Sequence, residues 1–157
     1  MNSIVSLYNR LTDFASGTIV ESIAQLLARV ALGMVFWRSY ETKVVDGTWL
    51  QIDPTQYLIF ENEFAGLPLS PELAVPLTVY AEFAFPLLLF VGLATRFSAA
   101  ALMVMALVIQ IFVFPTWAHF LGWDIMVLAL GAFLLSRGPG LFSLDAIIAR
   151  ATSAKDA

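Results

Sequence analysis

The sequence predicts an all-α polytopic membrane protein, a bundle of four transmembrane helices with short interfacial helices. Of its 157 residues, 60% are hydrophobic and 13% are charged, about half the ~25% charge of a soluble domain. A soluble domain of this length leaves about a third of its unfolded surface in water, and this chain is too poor in charge to solvate that much. Four apolar stretches are long enough to cross hydrocarbon about 30 Å thick, which takes about 20 helical residues.

Taken in order, residues 1–18 lack the charged start, apolar run and small-residue cleavage site of a signal peptide, so insertion falls to the first span. Ile4, Leu7, Leu11 and Phe14 recur at helical spacing and predict an interfacial anchor helix. The spans follow at about residues 22–40, 71–93, 96–114 and 118–136. Ser70-Pro71 reads as a helix cap and first-turn proline, Thr95 as a cap of the third span, and Gly138-Pro139 as the stop of the fourth. Leu141 to Ala149 predict a second interfacial helix, and the whole chain, 1–157, reads as one domain.

Four crossings place Arg10, Arg96, Arg137, Arg150 and Lys155 on one side and Arg38 and Lys43 on the other. The excess of cations marks the cytoplasmic side, so both termini are expected there. The long loop, residues 41–70, then lies outside with Glu41, Asp46, Asp53, Glu61 and Glu63. Asp53-Pro54 reads as a helix start and Tyr57, Phe60 and Phe64 follow at helical spacing. The loop is therefore either a lid-like amphipathic helix or a solvated acidic segment.

Arg29 and Glu82 carry most functional weight, because ionisable groups inside spans are rare and face a partner or a cavity. Counting from the two ends puts both near the midplane and predicts an ion pair between the first two spans. It serves either a binding and proton-handling pocket or only the locking of the bundle. Gln25, Arg29, Gly33, Phe36, Tyr40 and Lys43 step by three or four residues and form the bundle-facing stripe. Pro86 has no amide hydrogen for the carbonyl of Glu82, so a free carbonyl and a carboxylate share one level, beside a polar pocket. Gln110, Trp117, His119, Trp123 and Asp124 gather at the outer ends of the last two spans as candidates for an outward-opening site, with His119 open to a purely structural reading.

One histidine and no cysteine give no self-contained zinc or haem site, so a quinone or a partner's cofactor is the expected redox carrier. A net charge of −4 offers no basic face for nucleic acid. The partners expected are the lipid bilayer and a second protein or another copy of the chain.

LARVALGMVFWRSYETKV and AEFAFPLLLFVGLATR resemble the arginine, glycine and lysine pattern and the glutamate, glycine and Thr-Arg turn of the DoxX family of small membrane proteins. MALVIQIFVFP and RGPGLFSLD resemble the branch found in operons for metal-binding ribosomal peptides. The resemblance runs from Leu26 to Asp145 and carries the family's polar pattern onto Arg29, Lys43, Glu82, Thr95 and Arg96. Tyr40 departs from it, standing where a small residue is expected and narrowing an outward mouth. The resemblance implies a multi-pass protein of the bacterial inner membrane and a redox-linked, non-autonomous oxidoreductase subunit. The alternative is a non-enzymatic accessory protein or transporter of a small solute or metal complex.

Overall fold

Ser16-Gly17 interrupts the N-terminal helical pattern and gives two helices, α1 (Asn2–Ala15) and α2 (Thr18–Glu41), with Gly17 in the N-cap position. The computed structural model describes residues 2–154, without the side chains of residues 2–4, 10, 11 and 15. Lys155 and the side chains of Ile4, Arg10 and Leu11 therefore lie outside the described residues. Leu7 and Phe14 are exposed, as an interfacial helix requires.

The remaining elements are α3 (Thr55–Asn62), α4 (Pro71–Val91), α5 (Thr95–Phe112), a turn α6 (Trp117–His119), a π-helical segment (Phe120–Asp124), α7 (Ile125–Arg137) and α8 (Leu144–Ser153). Helices long and apolar enough to cross a membrane number four among the described residues: α2, α4, α5 and the composite Trp117–Arg137. The first begins four residues before its expected start, because Gly17 rather than Ser22 begins it. In the bundle α2 packs on α4 and α7, and α5 packs on α7 and α4. Leu32, Phe36, Leu89, Leu102 and Leu134 are fully buried between them. With lipid outside, helix association comes from such packing and from interhelical hydrogen bonds rather than from water exclusion.

The loop between α2 and α4 is ordered. Val44 bridges Ile52 in antiparallel fashion, closing a small hairpin at Gly47, whose φ of 79° suits glycine. Asp53 Oδ1 accepts hydrogen bonds from the amide and hydroxyl of Thr55 at 2.9 and 2.8 Å, which start α3 and hold the Asp53 carboxyl below the usual carboxylate range. Phe60 is buried against α4, and Phe64 meets it edge-to-face with centroids 4.8 Å apart. Tyr57 faces outward, so the expected three-aromatic stripe is in fact two aromatics on α4.

At the opposite end, called here the termini face, the chain is held by a set of polar ties. Gly92, at φ 70°, ends α4 with Leu93 N bonded to Leu88 O and Gly92 N to Leu89 O, the paired bonds of a Schellman turn. A Cβ on Gly92 would run into the guanidinium of Arg29 and the side chain of Ser143. The residue before α5 is Ala94, itself left-handed at φ 49°. Its turn is secured from a distance: Asp145 Oδ1 and Oδ2 accept from Ala94 N and Thr95 N at 2.8 and 2.9 Å. Thr95 was expected to cap α5 through its own hydroxyl. That hydroxyl is buried without a hydrogen bond, and Asp145 caps the helix instead. Arg96 Nε donates to Leu135 O at 3.0 Å, satisfying the C-terminal carbonyls of α7.

Replacing Asp145 with alanine leaves two amides of the α4–α5 turn without an acceptor. The expected cost is about 1–3 kcal/mol, read as a lower melting temperature in detergent, with Asp145→Asn falling between alanine and wild type.

Candidate functional site

The site is set by how α2 and α4 are offset. Ser39 of α2 lies level with Glu82 of α4, Oγ to Oε1 at 3.0 Å, whereas Arg29 lies level with Leu89, Nη1 to O at 3.2 Å. Seven helical residues separate Glu82 from Leu89, about 10 Å along the axis. The expected Arg29–Glu82 ion pair therefore does not form. Counting inward from the ends assumed flush helices. In the fold, the first turns of α2 run past the end of α4, where Ser22 accepts from Leu141 N at 3.1 Å and Gln25 donates to Arg137 O at 3.1 Å.

Arg29 is wholly buried. Its second amino group donates to Phe142 O, and the field of the Asp145 carboxylate reaches it. The C-terminal end of α4 also carries the negative end of the helix dipole, so a cation is stabilised there without contacting a carboxylate. Arg29 is part of the polar closure of the termini face, on the far side of Leu89 from Glu82.

The partner of Glu82 is Lys43, which follows α2 and turns back over its last residues. Its Nζ lies 2.8 Å from Glu82 Oε2, 3.0 Å from Ser39 O and 2.6 Å from Ser39 Oγ. An ammonium has three donors, and these contacts engage all three. Glu82 is 1% exposed. Each of its oxygens has one partner, although a carboxylate offers about four lone-pair sites. Pro86, one turn on, gives no amide to the carbonyl of Glu82.

Glu82, Ser39 and Lys43 open onto a cavity of about 640 Å³ bounded by α2, α3, α4, α5 and the start of the fourth span. Its walls are otherwise apolar, among them Val35, Phe60, Phe85, Met105 and Trp123, with Thr78 and His119 as further polar groups. Leu77 and Val104 also line it while 62% and 60% exposed on the bundle's exterior. The cavity thus reaches the lipid-facing surface at the seam between α4 and α5.

His119 is placed by the π-helical segment. In an α-helix, residues five apart point about 140° from each other. A π turn bonds residue i to i+5, as Phe120 O and Ile125 N do here, and stacks such residues. Asp124, fully buried, brings Oδ2 to 2.7 Å from His119 Nδ1. That approach is poorly aligned and leaves both carboxylate oxygens without a hydrogen bond. Nδ1 instead meets Gln110 Oε1 at 3.0 Å. The ring stacks near Phe114 and Trp123, with centroids 4.9 and 5.7 Å away.

Of the residues singled out from sequence, the fold joins Lys43 with Glu82, and Gln110 with His119, Trp123 and Asp124. Trp117 is 78% exposed and, with Gln110, Pro115 and Phe120, lines a smaller pocket, while Thr95 and Arg96 belong to the termini face. Tyr40 is buried against Trp37 and Phe83, bonds the carbonyl of Trp49 and is not among the lining residues of this cavity. Sequence reading missed Ser39, which sits four residues before Lys43 and can be placed beside it by helical spacing. It also missed Thr78, one turn from Glu82.

Lys43→Met leaves a buried carboxylate without its cation, and the expected loss is about 3–5 kcal/mol. Lys43→Met with Glu82→Met removes both charges and is expected to recover most of that stability, measured as a double-mutant cycle of melting temperatures. Exchanging the charges of Arg29 and Glu82 is expected to give no such recovery.

No curated protein and no solved structure matches the chain. The family model described as DoxX matches residues 24–115, a segment running from α2 through α5 and including Arg29, Lys43, Glu82, Thr95, Arg96 and Gln110. This multi-pass membrane protein belongs to the DoxX family.

Proposed function

We propose that the protein is a redox-linked membrane subunit that holds a quinone-class amphiphile beside Glu82 and serves a partner protein. The observation that carries this reading is the cavity of about 640 Å³ with a buried Lys43–Glu82 pair in an otherwise apolar wall. Small-molecule pockets run from about 300 to 1,000 Å³ and combine apolar walls with a few placed polar groups. A flat ring with polar oxygens and an apolar tail suits both features. The seam at Leu77 and Val104 supports entry from the bilayer, with the tail left among the lipids. A solute drawn from water would meet mostly hydrocarbon on that route.

A bound quinone-class ring supplies reversible two-electron, two-proton chemistry. In this reading Glu82 accepts a proton at the ring oxygen, Lys43 and Ser39 fix the carboxylate, and the aromatic walls exclude water. The chain has no cysteine and so no dithiol to exchange electrons with the ring; the reading assigns that role to a partner. Bacterial relatives in operons for metal-binding peptides, which RGPGLFSLD resembles, suggest such a partner. The same reading puts the termini on the cytoplasmic side of the inner membrane and the α3 loop outside.

The test is purification in mild detergent, with mass spectrometry and an absorption spectrum of what co-purifies. Near-stoichiometric quinone-class lipid with wild type, reduced several-fold in a folded Glu82→Gln variant, is the expected result. Equal content in both proteins rejects the role of Glu82, and none in either rejects the ligand.

A further inference from the structure

Building on the quinone-class reading, we infer that the cavity selects the reduced hydroquinone over the quinone, with Glu82 and His119 Nε2 as its two hydrogen-bond acceptors. The polar groups that line it offer acceptors without free donors. Lys43 is the only cation among the described lining residues, and its three donors are engaged by Ser39 O, Ser39 Oγ and Glu82 Oε2. The Ser39 hydroxyl donates to Glu82 Oε1. This wall has no donor left for a ligand, while the carboxylate retains lone pairs that can accept.

The second acceptor follows from the tautomer of His119, another lining residue. Gln110 Nε2 donates to Thr116 O at 3.2 Å, which orients the amide so that its oxygen faces the imidazole. An oxygen can only accept, so Nδ1 at 3.0 Å carries the proton. The Asp124 carboxylate 2.7 Å from the same nitrogen favours the same assignment. In the neutral ring Nε2 is then an acceptor, and no group among the described residues hydrogen-bonds it. Asp124 and Gln110 act as positioning residues.

A quinone brings only carbonyl oxygens and would meet acceptors with acceptors. A hydroquinone brings two hydroxyl donors, one for each. Thr78 is the remaining lining hydroxyl; it can donate or accept and so does not alter the preference. No electron transfer is needed for this selection, which is a property of binding alone.

The experiment compares three tail-matched probes on the wild-type protein in nanodiscs without oxygen: 2-decylhydroquinone, its dimethyl ether and 2-decyl-1,4-benzoquinone. Hydroquinone is expected to bind about tenfold or more tightly than either, the worth of one charge-assisted hydrogen bond. His119→Phe keeps the ring stacking and removes the nitrogens. It is expected to weaken hydroquinone binding about tenfold and leave quinone binding unchanged, and the wild-type comparison stands whether or not this variant folds. Quinone binding as tight as hydroquinone overturns the selectivity and leaves the quinone-class reading in place. Binding of none of the three overturns both.

Discussion

The antiparallel contact of α2 with α4 is pinned at two levels. At one, Lys43 and Ser39 hold Glu82; about 10 Å away, Arg29 holds the carbonyl of Leu89. Each contact places a buried charge against atoms of the other helix, and sliding α4 by a turn would unpair both at once. Unpaired polar groups in hydrocarbon cost several kcal/mol each, so the offset is steeply defined. Much of the remaining arrangement follows from it. α2 extends beyond α4 at the termini face, where residues 137–142 bond to it. α4 extends beyond α2 at the other face, where α3 and the hairpin cover it.

That second overhang gives the cavity its shape. Phe60 and Phe64 fill the space over the early turns of α4, and the end of α2 brings Lys43 back over Glu82 rather than leaving it in the headgroups. The third wall is α5, and the fourth is the irregular start of the last span. A regular helix there would turn His119 and Asp124 away from each other. The π-helical segment sets both on one side, at the cost of a wider and less tightly packed turn.

The spans and many of their ends are legible in the sequence because hydropathy, proline and glycine act locally. Ser70-Pro71 and Gly138-Pro139 stand where they were expected, and the stripe from Gln25 to Lys43 faces the bundle. The ion pair was legible only in part. Glu82 was recognisable as a buried acid needing a cation, but Arg29 and Lys43 both occupy the stripe, and the choice between them depends on the offset of two helices. Helical periodicity does not encode that offset. The polar ties of the C-terminal segment and the π turn are likewise tertiary and local-geometric facts. Nothing in RGPGLFSLD by itself says that Asp145 will cap α5, fifty residues upstream.

The closure of Arg29 has a consequence for how the chain is made. Its guanidinium is fully buried, yet one of its two hydrogen-bond acceptors is the carbonyl of Phe142, which leaves the ribosome more than a hundred residues later. During synthesis the first span therefore enters the bilayer carrying a cation whose final neighbours do not yet exist. The guanidinium gains its second acceptor only when the last helix has crossed and the segment after it has folded back. A chain that stalls before that point presents a charged, unsatisfied helix to the membrane, a signature that distinguishes unfinished molecules from finished ones.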